Sequence, residues 1–203
     1  IGTFAHVDSP CLKLKPISKK SASNMLQVGV QIYGGLLLHT WFDRDLSVAG
    51  RVLIEENGKL VSRLVSIEDP ILRIPNLAIH LNRGVNTDGF KPNSEEHTVP
   101  ILASVLANLG FEQSGINPDD THISLPKDLS TTQTTPVKST SCSGISATTK
   151  LAQTFQLKHH SAFLQRIAIE LGCQVEQIVD FELSLYDTQP PALNGLYKEF
   201  IVA

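Results

Sequence analysis

Apolar and polar residues alternate along most of this chain, and the alternation predicts strands. Residues 26–33 (LQVGVQIY) keep a period of two that places Leu26, Val28, Val30 and Ile32 on one side, before Gly34-Gly35 breaks the run. Residues 11–17 set Leu12, Leu14 and Ile17 against Lys13 and Lys15, an amphipathic strand with its lysines in water, and residues 18–24 read as a polar loop. Residues 3–7 read as a buried strand. Residues 48–55 and 60–67 flank Glu56-Asn57-Gly58-Lys59, and Asn-Gly between two β-rich runs predicts a hairpin closed by a type I′ turn. Residues 179–186 alternate Val179, Phe181, Leu183 and Leu185 with Asp180, Glu182 and Ser184, a half-buried strand, and residues 200–203 read as a last one. Two stretches follow the helical period instead. Ile101, Leu102, Val105, Leu106 and Leu109 predict a helix within 99–109, preceded by Glu95 and Glu96 and ended by Gly110. Phe163, Leu164, Ile167, Ala168 and Leu171 predict a second within 158–172, with Gly172 just past its end. Residues 77–81 suit a short helix or strand.

Composition changes this picture in one place. Serine and threonine dominate residues 130–149, so residues 111–157 read as a disordered insertion with too little apolar surface to order itself. Elsewhere 41% hydrophobic and 18% charged residues allow a real core in 203 residues. A net charge of −3 gives no electrostatic footprint for nucleic acid, and no apolar run is long enough to predict a membrane span. Three widely spaced cysteines, Cys11, Cys142 and Cys173, predict a reducing compartment. The first residue is not Met and no signal peptide is visible, so a start directly on a strand-like run suggests further sequence upstream.

Candidate chemistry is sparse. His6 is followed two residues on by Asp8, and a carboxylate beside an imidazole is how metal sites hold a ligand in one tautomer. A satisfied structural pair is the plainer reading of that dipole taken alone. The remaining histidines, His39, His80, His97, His122 and the pair His159-His160, form no HExxH or comparable ligand spacing. No GxSxG, P-loop or GxGxxG is present. Asp43-Arg44-Asp45, beside the single tryptophan Trp41, reads as a structural ion cluster at a strand end.

Taken together, HVDSP (6–10), LQVGVQIYGG (26–35), WFDRDL (41–46) with Ala49-Gly50-Arg51, PILRIPNLAIHL (70–81) and FELSLYDTQPPALNG (181–195) resemble the aspartyl aminopeptidases, two-zinc exopeptidases that remove N-terminal Asp or Glu. The resemblance implies that His6 is a zinc ligand, that Asp8 orients it, and that His80 is carried into a neighbouring subunit's active site, where it holds substrate and stabilises the tetrahedral intermediate. It implies an α+β chain: residues 1–10 as a strand and ligand turn of the catalytic domain, 11–190 as a β-rich inserted dimerisation domain, and 191–203 as the return to the catalytic domain. The bridging aspartate, the paired glutamates, a further acidic ligand and the last histidine are expected beyond Ala203, so the 203 residues alone are expected to be inactive. Self-association through residues 26–67, peptide substrates with an acidic N-terminal residue, no nucleic-acid or membrane partner and a cytoplasmic location, with the vacuole as alternative, complete the expectation. A non-catalytic oligomerisation module derived from such a peptidase is the rival. Leu36 and Leu38 depart from the family pattern and imply altered packing near Trp41.

Overall fold

The hairpin predicted at Asn57-Gly58 organises one edge of the sheet. Strands β3 (Leu46–Glu56) and β4 (Lys59–Ser66) pair in register from Ala49↔Ser66 to Glu56↔Lys59. The two turn residues both have positive φ, 52° and 74°, as a type I′ turn requires. The computed structural model describes residues 2–5, 9–114 and 147–202. Among them, β1 (Cys11–Ala22), β2 (Met25–Tyr33), β5 (Ile101–Ser104) and β6 (Ile178–Asp187) complete a six-stranded antiparallel sheet in the order β4-β3-β6-β1-β2-β5. Strands β7 (Ala192–Asn194) and β8 (Phe200–Val202) form a separate ribbon.

One face of the large sheet is the core. Leu12, Leu14, Val28, Val30, Val48, Val52, Ile54, Leu183 and Leu185 meet Phe155, Phe163, Leu164, Ile167 and Ala168 from helices α3 (Ala147–Gln156) and α4 (Ser161–Leu171). Two further helices, the four-residue α1 (Val85–Asp88) and α2 (Val105–Ser114), stand outside this layer. The fold is therefore a sheet-dominated α+β arrangement. Close strand approach decides one position: a Cβ on Gly50 would lie 2.2 Å from the Glu182 carbonyl oxygen of the neighbouring β6. The α4 face is the predicted one, and the helix ends where Gly172 turns left-handed and Cys173 donates its N–H to Ala168.

The structure corrects several expectations. Residues 18–22 are strand, not loop: β1 continues to Ala22, and Ser23-Asn24 make the turn, both at positive φ. The pattern fails there because the register slips from Leu14↔Val30 to Lys19↔Val28, leaving residues 15–18 bulged over Gly29 and scrambling the alternation. The helix expected within 99–109 begins only at Val105. Residues 101–104 pair with the open edge of β2, because a spacing compatible with either element is decided by an available sheet edge. The disordered stretch expected at 111–157 is helical where it is described at its ends. Residues 111–114 finish α2, and α3 sends Ala152 and Phe155 into the core. Residues 115–146 lie outside the described residues. No strand forms over residues 3–5, and Phe4 is fully exposed. Residues 79–82 make turns.

Candidate functional site

His80 sits at the tip of an anchored turn. The extended passage leading to it is fastened at both ends of its backbone. Leu46 donates to Leu72 O and Asp43 to Ile74 O, while Arg73 and Ile101 exchange backbone bonds of 3.2 and 2.8 Å. The Asp43-Arg44-Asp45 triplet supplies the side-chain anchors. Arg73 reaches Asp45 Oδ1 at 2.7 Å and the Asp43 carbonyl at 3.1 Å, and Asp43 Oδ1 accepts from Asn76 N at 3.0 Å. Asn76 Oδ1 then accepts from Leu77 N, and the chain turns back through Leu81 N→Ala78 O and Asn82 N→Ile79 O. Leu72 and Ile74 are buried beneath this frame.

Beyond the anchor the turn is bare. Leu77, Ile79 and Leu81 are 61%, 47% and 75% exposed, and His80 is exposed among them. His80 is therefore not a packed residue of this chain. The turn presents an imidazole in an apolar rim, an arrangement that suits burial against another surface.

The other half of the triplet is structural, as its reading predicted. Arg44 pairs with Asp187 at 3.1 Å and bonds Gln189, while both the N–H and the hydroxyl of Thr188 donate to the Asp45 carbonyl at 2.9 Å. These residues line a polar cavity of about 370 Å³ where β3 begins and β6 ends. On the outer face of the sheet, Glu182 accepts from Lys13 and Arg51, which holds its carboxyl below the usual range and raises the Lys13 ammonium.

His6 and Asp8 lie outside the described residues. The chain next described, Ser9-Pro10, enters β1 against the end of β2, where Pro10 stands 3.0 Å from the place of a Gly34 Cβ. Among the described residues no group of three His, Cys, Asp or Glu side chains is placed to hold a metal ion, so these residues do not by themselves build a zinc site. Nor does any described helix have the length and apolarity to cross a membrane.

Residues 2–203 match the family model described as "Aminopeptidase I zinc metalloprotease (M18)". The chain belongs to the M18 aminopeptidase family. A curated relative from Ricinus communis, "Probable aspartyl aminopeptidase", is 48% identical over 97% of this chain and 38% of its own length. The aspartyl aminopeptidase of Dictyostelium discoideum is 44% identical over 97% and 37%. This M18 chain thus spans well under half the length of the curated relatives it matches. The solved mApe1 of Chaetomium thermophilum is 30% identical, with a TM-score of 0.66 over 97% of this chain and 36% of that one. A further M18 neighbour, 26% identical with a TM-score of 0.59 over 97% and 33%, is titled as the S. cerevisiae mApe1 dodecamer. Zinc is the cofactor that the family's own description names.

Two features of this M18 chain escaped sequence reasoning: the anchoring of the His80 turn by Arg73, and the burial of His159 and His160. Both depend on partners far along the chain, Asp45 and Ser18 among them.

Proposed function

We propose that this chain is the part of a cytoplasmic zinc metallo-aminopeptidase, acting on peptides with N-terminal Asp or Glu, that joins subunits and delivers His80 to a neighbour's active site. The observation that carries this reading is the family match along residues 2–203, at 48% identity to an aspartyl aminopeptidase. Residues 11–190 are the inserted dimerisation domain, and residues 1–10 and 191–203 belong to the catalytic domain. The ribbon β7–β8, with Leu193 and Ile201 exposed, has the apolar surface expected of strands covered by a larger domain.

Within that enzyme His6 is a zinc ligand and Asp8 holds its ring. When bound, the paired zinc ions supply Lewis-acid chemistry at the scissile carbonyl. The described residues offer no complete donor set, so the remaining ligands come from the rest of the enzyme. His80 would place a ring N–H toward the oxygen that gains charge as the carbonyl becomes tetrahedral. A donor held in advance stabilises that charge without reorganising. The anchors at Arg73, Asp43 and Asn76 supply the rigidity. Leu77, Ile79 and Leu81 supply an apolar rim that excludes water once covered. One neighbour solved as a dodecamer supports closed self-association.

The test is a chimera in which these 203 residues replace the matching segment of the Dictyostelium discoideum relative, assayed on an aspartyl chromogenic amide with zinc. Turnover is expected from the chimera and none from the 203 residues alone. His80→Ala in the chimera is expected to lower kcat by about 10²-fold, the scale of one lost oxyanion donor. A folded, oligomeric chimera without turnover, or one indifferent to His80→Ala, overturns the reading.

A further inference from the structure

His159 and His160 fasten the helical layer to the sheet at the bulge of β1. The bulge is unusual because residues 15–18 stand opposite Gly29 alone, so its backbone cannot use the β2 ladder. Instead the N–H groups of Ser18 and Lys19 both end on the carbonyl of Lys158, at 3.1 and 3.0 Å. Ser18 turns inward and is 1% exposed, and its hydroxyl meets His159 Nδ1 at 2.7 Å. The next residue, His160, shares its Nε2 between the carbonyls of Lys20 (2.7 Å) and Gln27 (3.1 Å). That ring is therefore committed to the β1–β2 hairpin and gives no side-chain cap to α4, whose N-cap it is.

The His159 ring is itself enclosed. Phe155 of α3 and Phe181 of β6 each lie with their centroids 4.5 Å from it and 5.0 Å from one another, a three-ring cluster, and its exposure is 1%. Its Nε2 has no hydrogen-bond partner among the described residues. A neutral imidazole tolerates this as a lone pair among aromatic rings. The imidazolium carries a second N–H that finds no acceptor there, and a buried donor left unmade is costly.

The charged surroundings do not help. Lys158 precedes the ring and His160 follows it, and β1 adds Lys19 and Lys20 beside Ser18. The carboxylates of β6, Asp180 and Glu182, flank Phe181 on the opposite face of the strand. On α4, Arg166 and Glu170 lie 3.6 Å from each other, and Arg166 also reaches Asp69. Residues 152–156 of α3 and Gln27 of β2 carry no charge.

We propose that the Ser18–His159 contact is an acid-sensitive latch: a proton gained by His159 separates the α3–α4 junction from the β1 bulge while the β3–β6 ladder stays closed. Burial, then the Lys158 and His160 charges, push the His159 pKa down to about 4 from its ordinary 6.5. The open form therefore binds the proton more tightly than the closed one. The latch is at full strength above about pH 6.5 and weakens as pH falls toward 4.

Amide hydrogen exchange on the 203-residue chain tests this, read residue by residue and corrected for intrinsic rates. Protection of the Ser18 and Lys19 amides is expected to fall about tenfold per pH unit between pH 6.5 and 4, on the order of a hundredfold in all, ahead of the β3–β6 amides. His159→Phe keeps an aromatic ring in the cluster with Phe155 and Phe181, one that does not titrate, and is expected to abolish that step. Ring NMR of the unsubstituted chain provides a second readout that needs no variant, with His159 expected to titrate well below 6. A Ser18 and Lys19 protection that falls only together with β3–β6, a step that survives in His159→Phe, or a His159 ring titrating near 6.5 overturns the latch.

Discussion

At the scale of single residues, the most constrained position is Gly50. Any side chain there would press on the main chain of β6 at Glu182 and Leu183, and neither strand can move without breaking the ladder that runs from Leu46↔Asp187 to Ile54↔Ile178. Gly50→Ala is expected to destabilise the chain by about 3 kcal/mol, at the upper end for overpacking, and urea denaturation followed by Trp41 fluorescence would measure it. An unchanged midpoint would mean that the strands separate more easily than their register suggests. Glu182 offers a contrast one residue away. Its partners Lys13 and Arg51 lie on the wet face of the sheet, where solvent screens the pairs, so Glu182→Gln should leave the urea midpoint within error. His80 belongs to a different class again. Its surroundings support the turn and not the ring, so His80→Ala should leave folding unchanged and be read only through catalysis.

At the scale of elements, α3 is the part whose role composition hid. Its residues, ATTKLAQTFQ, continue the Ser/Thr-rich run, yet Phe155 enters the core and touches both His159 and Phe181. Phe155→Ala should cost about 3–5 kcal/mol, the usual range for removing a buried aromatic, visible as a lowered midpoint in thermal or urea unfolding. A cost below about 1 kcal/mol would mean that the helix contributes little to holding the sheet. The Asn57-Gly58 hairpin was legible because two residues alone decide the turn, and both adopt the positive φ that this dipeptide favours. The helix α4 was legible because its apolar face is local. The β1 bulge was not legible, since the Ser18 and Lys19 amides at its end bond the carbonyl of Lys158, far away in sequence.

At the scale of the whole molecule, apolar surface remains uncovered on strands as well as on the His80 turn. Strand β4 is an edge strand, and Leu60 and Leu64 face outward from it, with Leu64 83% exposed. The ribbon β7–β8 is likewise uncovered. An exposed apolar edge strand invites pairing with another copy. Sedimentation velocity on the chain should show self-association that rises with concentration, and Leu64→Lys should shift it toward monomer. A monomer at all concentrations would count against the dimerisation role assigned to residues 11–190. Acid should weaken the same molecule through His159, whose lowered pKa makes stability fall as pH drops from about 6.5 toward 4.

Blocks of residues whose order survives any packing were enough to place the chain in the M18 family, whose description names zinc. The sequence alone also predicts those elements whose signal is carried within a few residues: the Asn57-Gly58 turn, the alternating face of β6 and the apolar stripe of α4. Packing between distant segments chose which of two admissible conformations residues 101–104 would take, made the tail of a Ser/Thr-rich run a core helix, and buried His159 against the adjoining rings of Phe155 and Phe181. Each of those outcomes depends on a partner distant along the chain: the free edge of β2, the sheet face beneath α3, the inward turn of Ser18. Periodicity records the environment that a residue needs, and it does not record which remote segment supplies it.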